Sequence, residues 1–371
     1  MIYLDNAATS FPKPKNVISE VRKCIEEYCG NPGRSSHDLS LKISERIYET
    51  REKIADFIGL YTPENVVFTP NATYALNLAI KTEIKPDSHV IISNLEHNSV
   101  YRPIFALSER LGVEFSCFNA YGDISKEIPR LIKENTCCIV STLQSNVTGR
   151  RISAKALSDL AQAHGLKLIL DASQYIGHGE LDLSNTPCTL CAPGHKALFG
   201  IQGSGFVAFS DPSERETLIE GGSGNDSKNP RMPERLPERF EAGTPSSQSI
   251  ISMLYGIKFI ENIGFRQIEE KINALTQKYA DILFSLKRAV VHEYGNGIIS
   301  FNVLGIPAET VAEALNRRKI YVRSGLHCAP LAHNAIGTGE IGTVRVSLSY
   351  LNSRREADTF YKAIRDISAI Y

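Results

Sequence analysis

The chain has 371 residues, 42% of them hydrophobic, and its 41 lysines and arginines balance 41 aspartates and glutamates. That length exceeds what one hydrophobic core supports, so a large and a smaller domain are expected, and the even charge gives no electrostatic reason for nucleic acid or an anionic membrane as main partner. No apolar run approaches a membrane span and Met1-Ile2-Tyr3-Leu4-Asp5 is not a basic-then-apolar export signal, so a cytoplasmic protein is expected.

From Val66 onward, short β-branched runs alternate with helical patterns: Val66-Val67-Phe68, Val90-Ile91-Ile92, Val113-Glu114-Phe115, Cys138-Ile139-Val140 and Leu168-Ile169-Leu170. This alternation predicts an α/β fold, a mainly parallel sheet covered by helices on both faces, with ligands beyond the carboxyl ends of the strands. The polar clusters fall there. Asn71-Ala72-Thr73 opens the helical pattern that begins at Ala75 and offers free amides and a hydroxyl to a phosphate, although an ordinary N-cap is the plainer reading of that tripeptide alone. His97 follows the strand ending at Ser93 and could stack on a planar cofactor; taken singly it reads as a loop or capping residue. Asn146, after another strand, could donate to a ring oxygen or a carboxylate.

Asp171 ends the run Leu168-Ile169-Leu170, Gln174 lies three residues on, and Lys196 sits in Ala192-Pro193-Gly194-His195-Lys196. An acid at a strand end followed by a turn-borne lysine is a way to hold pyridoxal 5'-phosphate (PLP): the lysine forms the Schiff base and the acid pairs with the pyridinium nitrogen. The eight cysteines are scattered, and Cys137-Cys138 are adjacent within a strand-like run, which suits reduced thiols better than a disulfide framework. Cys188-Thr189-Leu190-Cys191 has redox or zinc spacing, but its apolar interior reads as two thiols on a strand. The tract 221–237, rich in Gly, Pro, Asn and charge, reads as a loop. Helices are predicted over 246–260 and 265–286. Strands near Ile298-Ile299-Ser300-Phe301, Ile320-Tyr321-Val322 and Thr343-Val344-Arg345-Val346, a helix near 309–317 and a final helix predict a compact α+β domain, with the boundary near Asn262. Cys328 lies on the Gly-containing, Pro-flanked segment Gly325-Leu326-His327-Cys328-Ala329-Pro330, a poor place for a core thiol. His327, Cys328 and His333 are not completed by another Cys/His cluster, so no metal site is expected.

The series Tyr3-Leu4-Asp5-Asn6-Ala7-Ala8-Thr9, Glu96-His97-Asn98, Ser145-Asn146-Val147-Thr148-Gly149, Asp171-Ala172-Ser173-Gln174, Gly194-His195-Lys196, Arg239-Phe240-Glu241-Ala242-Gly243-Thr244 and Arg323-Ser324-Gly325-Leu326-His327-Cys328 resembles the cysteine desulfurases and selenocysteine lyase-like proteins. These form part of the class V aminotransferase branch of the fold-type I PLP enzymes, and the resemblance runs almost end to end. It implies a seven-stranded sheet between helices in a large domain (15–261), a small domain from 1–14 and 262–371 that carries the cysteine loop, and a homodimer with active sites at the subunit interface. It implies that Lys196 is the Schiff-base lysine, with Ala72, Thr73, His195 and, from the partner, Thr244 around the phosphate. Asp171 would pair with the pyridinium, Gln174 with the phenolate oxygen, and His97 would stack on the ring and move protons near the leaving sulfur. Asn146 and Arg345 would hold the substrate carboxylate, with Arg323 and His37 also assigned to substrate.

The resemblance further implies a nucleophilic Cys328, which attacks the sulfur of activated L-cysteine to leave alanine and an enzyme persulfide for an acceptor protein, as in iron–sulfur cluster assembly. A free thiol is only a few per cent ionised at neutral pH, so nearby positive charge helps; Arg323 and His327 are the adjacent candidates. The short stretch from Cys328 to Arg345 resembles the sulfur-assimilation type, whose persulfide is less exposed. Family members of that type often carry hydroxyl residues where this chain has Ala72 and Pro193. Selenocysteine lyase activity, and an aminotransferase or β-lyase reaction without persulfide chemistry, are the alternatives within PLP chemistry; a non-catalytic module is disfavoured by the intact Lys196, Asp171, His97 and Arg345.

Overall fold

The structure is a computed structural model that describes residues 1–33, 37–211, 215–224 and 228–370. In chain order, β1 (Ile2–Tyr3) and α1 (Lys15–Lys23), which runs into a π-helical turn at Cys24–Tyr28, precede α2 (Asp38–Phe57), β2 (Val66–Thr69), α3 (Ala72–Glu83), β3 (His89–Ser93) and α4 (Asn98–Leu111). Then come β4 (Glu114–Phe118), α5 (Ile124–Leu131), β5 (Thr136–Thr142), α6 (Ala154–Ala163), β6 (Lys167–Asp171), β7 (Thr189–Pro193) and β8 (Gly205–Phe209). The remainder is α7 (Ser247–Ile263), α8 (Phe265–Phe284), β9 (Ala289–Gly295), β10 (Ile298–Val303), α9 (Ala308–Arg317), β11 (Ile320–Tyr321), β12 (Arg323–Gly325), α10 (Pro330–Ala335), β13 (Thr343–Ser347) and α11 (Arg354–Ile370).

The large sheet has seven strands in the order β2-β8-β7-β6-β5-β3-β4. From β4 to β7 its neighbours are parallel, as the β-branched runs predict, and β8 is antiparallel to both β7 and β2. The fold class is therefore α/β with a mainly parallel sheet. Strand periodicity sorts its two faces: Val67, Val90, Ile92, Val140 and Val207 pack with α3 and α4, while Val66, Ile91, Ile139, Leu170 and Phe206 pack with α2, α6 and α7. Burial on both faces explains why these strands read as continuous apolar runs.

The four-stranded sheet β12-β13-β10-β9 is antiparallel throughout. It has its own apolar cluster, in which Phe301, Val344, Val346, Tyr279 and Phe360 are joined by Ile2 and Leu4. The chain start is tied there through β1, which pairs in parallel with β11, and through Ser347, whose N–H donates to the Leu4 carbonyl at 2.7 Å. Asp5 is thereby delivered beside β13 and its Arg345.

β8 has no counterpart in the sequence reading, and its antiparallel direction follows from the return connection after β7. The helix predicted over 246–260 runs from Ser247 to Ile263, and the one predicted over 265–286 ends at Phe284. The described residues of the 221–237 tract carry no helix or strand.

Candidate active site

Asp171 is the last residue of β6, and Lys196 lies on the connection between β7 and β8, so sheet pairing brings their segments side by side. The turn is tight. A Cβ on Gly194 would fall 2.3 Å from Ser204 Oγ and 2.6 Å from the Met253 side chain, which only a glycine avoids. Four donors converge on the carbonyl just before Lys196, that of His195: Thr9 Oγ1 at 3.0 Å, Ser10 N at 3.1 Å, Ser10 Oγ at 3.2 Å and Lys13 Nζ at 2.9 Å. The N-terminal segment thus clamps the peptide that carries the lysine. The Lys196 pKa is lowered to about 8, chiefly by burial, with Arg345 and Arg323 adding to the shift and Asp171 and Asp5 opposing it. Burial likewise raises Asp171, countered by Ser173, whose N–H donates to Oδ1 at 2.8 Å, and by the charge of Lys196. An amine poised near neutrality facing a buried acid suits proton transfer.

Around this pair lies a cleft lined by Ala72, Thr73, His97, Asn146, Gln174 and His195 among others. Asn71 caps α3, its Oδ1 accepting from Tyr74 N at 2.9 Å, which leaves earlier amides of the helix start open toward an anion. Thr73 Oγ1 lies 2.8 Å from Ser99 Oγ, which in turn lies 2.9 Å from His97 Nδ1. His97 Nδ1 also accepts from Ser99 N at 3.0 Å, so the ring carries its proton on Nε2. Burial, with Lys196 and three arginines nearby, pushes its pKa to about 3, and His97 is a neutral N–H donor. Gln174 Nε2 donates to Ala7 O at 3.0 Å and Asn146 Nδ2 to His327 O at 2.8 Å, each keeping a second amide hydrogen.

Arg345 is buried. Its Nη2 pairs with Asp5 Oδ1 at 2.8 Å, its Nη1 donates to Asn146 O at 3.1 Å, and its Nε finds no partner among the described residues. A buried guanidinium with an unsatisfied donor is a fitting receptor for a further carboxylate.

Cys328 is exposed, and Arg323 Nη2 stands 3.8 Å from its Sγ. His327 does not supply the second positive charge expected of it: its ring is buried, Nε2 lies 3.2 Å from Thr343 Oγ1, and burial holds its pKa at about 2, so it is neutral. His327 and Cys328 are consecutive left-handed residues, with φ of 49° and 57°. Asn98 N donates to the Cys328 carbonyl at 2.7 Å, which ties this turn to the start of α4 and to His97.

The structure gathers Lys196, Asp171, His97, Thr73, Ala72, Asn146, Gln174 and His195 around one cleft, with Arg345, Arg323 and Cys328 at its side. Within one chain it does not bring Thr244 or His37 there. Thr244 lines a separate cavity with Gly243 and Pro245, and His37 is an exposed N-cap of α2 whose Nδ1 accepts from Ser40 N at 3.2 Å. The cysteines of the described residues are unbridged, and Cys188 and Cys191 are buried at β7. The described residues hold no group of three or more His, Cys, Asp or Glu arranged for a metal, and no helix among them is long and apolar enough to cross a membrane. Sequence reasoning missed the roles of Asp5, Lys13 and Glu96. Glu96 is fully buried, accepts from Thr142 N at 2.8 Å, and has its pKa pushed to about 8 by burial. Its position beside His97 was the only local sign. Asp5 and Lys13 act across 340 and 182 residues, a separation that leaves no local pattern.

A sequence model described as aminotransferase class-V matches residues 2–360. A probable cysteine desulfurase of Methanothermobacter thermautotrophicus is 31% identical over 100% of this chain and 95% of its own length. One from Pyrococcus abyssi is 31% identical over 99% of this chain and 94% of its own length. The apo structure of a cysteine desulfurase from Thermococcus onnurineus superposes with a TM-score of 0.90 at 28% identity, covering 100% of this chain and 95% of that one. With the lysine–acid pair at the strand ends and these end-to-end similarities, the chain belongs to the class V aminotransferase family, among the relatives named as cysteine desulfurases.

Proposed function

We propose that this protein is a PLP-dependent L-cysteine desulfurase that releases alanine and carries the sulfur as a persulfide on Cys328. The observation that carries the reading is the junction of two devices: the Lys196–Asp171 cleft, and a thiol beside Arg323 on a turn tied to that cleft through Asn146 and Asn98. The residues present fit the cofactor. A buried carboxylate faces the cleft for a pyridinium, a helix start with Thr73 suits a phosphate, and His195 Nδ1 is buried without a partner among the described residues. When bound, PLP supplies the electron sink that weakens bonds around the substrate α-carbon.

Lys196 holds the cofactor and, with its pKa near neutrality, exchanges the α-proton. Arg345, steadied by Asp5, takes the substrate carboxylate in company with Asn146. His97, neutral and protonated on Nε2, would stack on the cofactor and offer its N–H to the bound group. Arg323 stabilises the Cys328 thiolate, which attacks the substrate sulfur: the S–S bond forms as the C–S bond breaks, the electron pair of that bond passes to the β-carbon, which takes up a proton, the α-carbon regains the proton it lost, and alanine leaves with the sulfur held as the Cys328 persulfide.

Thr244 lies away from its own cleft, so its phosphate role requires a second copy, and a homodimer is part of the proposal. The separate apolar cluster of the small sheet supports a division into 15–261 and 1–14 with 262–371. In a single chain Cys328 is exposed, which suits delivery to an acceptor protein. The test is stoichiometry. Purified protein supplied with PLP and L-cysteine yields alanine and reducible sulfur in equal amounts, and Cys328→Ala yields neither at a comparable rate; full activity in that variant overturns the thiol chemistry. Release of pyruvate and ammonia instead of alanine marks a β-lyase.

A further inference from the structure

The Cys328 turn is held in a conformation that two successive L-residues rarely adopt, with φ of 49° at His327 and 57° at Cys328. Backbone bonds fix its carbonyls: Asn146 Nδ2 reaches His327 O at 2.8 Å, Asn98 N reaches Cys328 O at 2.7 Å, and Ala329 N reaches Leu326 O at 2.9 Å. None of these holds the His327 side chain, which enters the fold directly before Cys328 on the same left-handed turn. That side chain is buried, is met by Thr343 Oγ1 at 3.2 Å, and packs against a second buried ring, His333, with centroids 5.4 Å apart and planes tilted by 35°.

His333 is fully buried on α10, one turn beyond the cysteine, and its N–H donates to Ala329 O at 3.2 Å. Its Nδ1 lies 2.7 Å from Thr338 Oγ1, and Thr338 N donates back to His333 O at 2.9 Å. His327 Nδ1 and His333 Nε2 are both buried without partners among the described residues, an arrangement a core kept only for stability would replace with apolar side chains. His333 makes no hydrogen bond to Sγ in the structure, so a direct part in the chemistry is not indicated.

We propose that His333 is a positioning residue for the Cys328 thiol: anchored by Thr338, its ring braces His327 and thereby fixes the left-handed turn that aims Sγ at the substrate sulfur. The inference rests on the desulfurase reading for its catalytic consequence, though not for its structural one. Thr338→Val removes the anchor and leaves the ring; His333→Phe keeps a ring of similar size and loses the anchor.

Two measurements test it. In cofactor-free protein, alkylation of Cys328 by iodoacetamide, followed by peptide mass, is expected to slow several-fold in both variants as Sγ moves away from Arg323, while exposed Cys29 keeps its rate and buried Cys188 and Cys191 stay unlabelled. In the PLP-loaded enzyme, kcat for alanine formation is expected to fall roughly 10-fold, since misplacement by about 1 Å can cost on the order of 100-fold, while KM for cysteine and the cofactor absorbance stay unchanged because the thiol acts after binding. Wild-type labelling and wild-type kcat in both variants overturn the proposal. If His333→Phe exposes the buried thiols, its fold is lost and Thr338→Val alone decides. If the wild type makes no alanine from cysteine, the functional reading fails, and the labelling still decides whether His333 braces the turn.

Discussion

Lys196 gives the most demanding prediction, because burying its amine costs the fold stability. Its pKa falls from the ordinary 10.5 to about 8 in the folded, cofactor-free protein, chiefly through burial. The unfolded chain therefore binds more protons between pH 8 and 10.5, and stability contributed by this group rises with pH across that window. Below pH 8 the amine is charged in both states and the penalty of burying the ammonium is present in full, about 3 kcal/mol at 1.36 kcal/mol per pH unit. Lys196→Met removes the titration. The variant is thus expected to be more stable than the wild type at pH 7, and the gap is expected to narrow by about 2 kcal/mol at pH 9.5. Both figures are upper ones, since the side chain keeps some contact with solvent. Urea unfolding of both cofactor-free proteins at several pH values measures the gap. A variant less stable at pH 7, or a gap that does not move with pH, refutes a desolvated lysine at this position.

Asp5→Asn removes the carboxylate beside buried Arg345; because Asp5 is itself partly exposed, a loss of about 2 kcal/mol is expected in urea unfolding, with a raised KM for cysteine as Arg345 loses its brace. Gly149→Ala places a Cβ 1.9 Å from the Gly295 carbonyl oxygen at a φ of +70°, so the contact between the Asn146 loop and β9 must open; a loss of at least about 2 kcal/mol is expected, and an unchanged urea midpoint contradicts it. Mass spectrometry after brief alkylation of the native protein is expected to find Cys328 modified and Cys138, Cys188 and Cys191 intact, because burial raises the pKa of each of these thiols; early labelling at β7 would contradict the packing.

Strands β3, β5 and β6 were legible because burial on both faces forces continuous β-branched runs, and residues just beyond such strands in an α/β sheet face the ligand; Lys196, Asp171, His97 and Asn146 follow from that rule together with their chemistry. The adjacent position of His327 suggested a helpful charge, but its ring is buried and neutral, because backbone dihedrals and burial, neither written in residue type, set where a side chain points.

What the sequence determined by itself is the alternation that builds the parallel sheet and the order in which chemical groups meet its carboxyl edge. Tertiary structure alone decided which distant groups close the site. Asp5 meets Arg345 only because Leu4 is laid beside β13, and Lys13 meets His195 only because residues 9–13 cross the β7–β8 turn. Contacts across hundreds of residues arise from packing, and no local period encodes them.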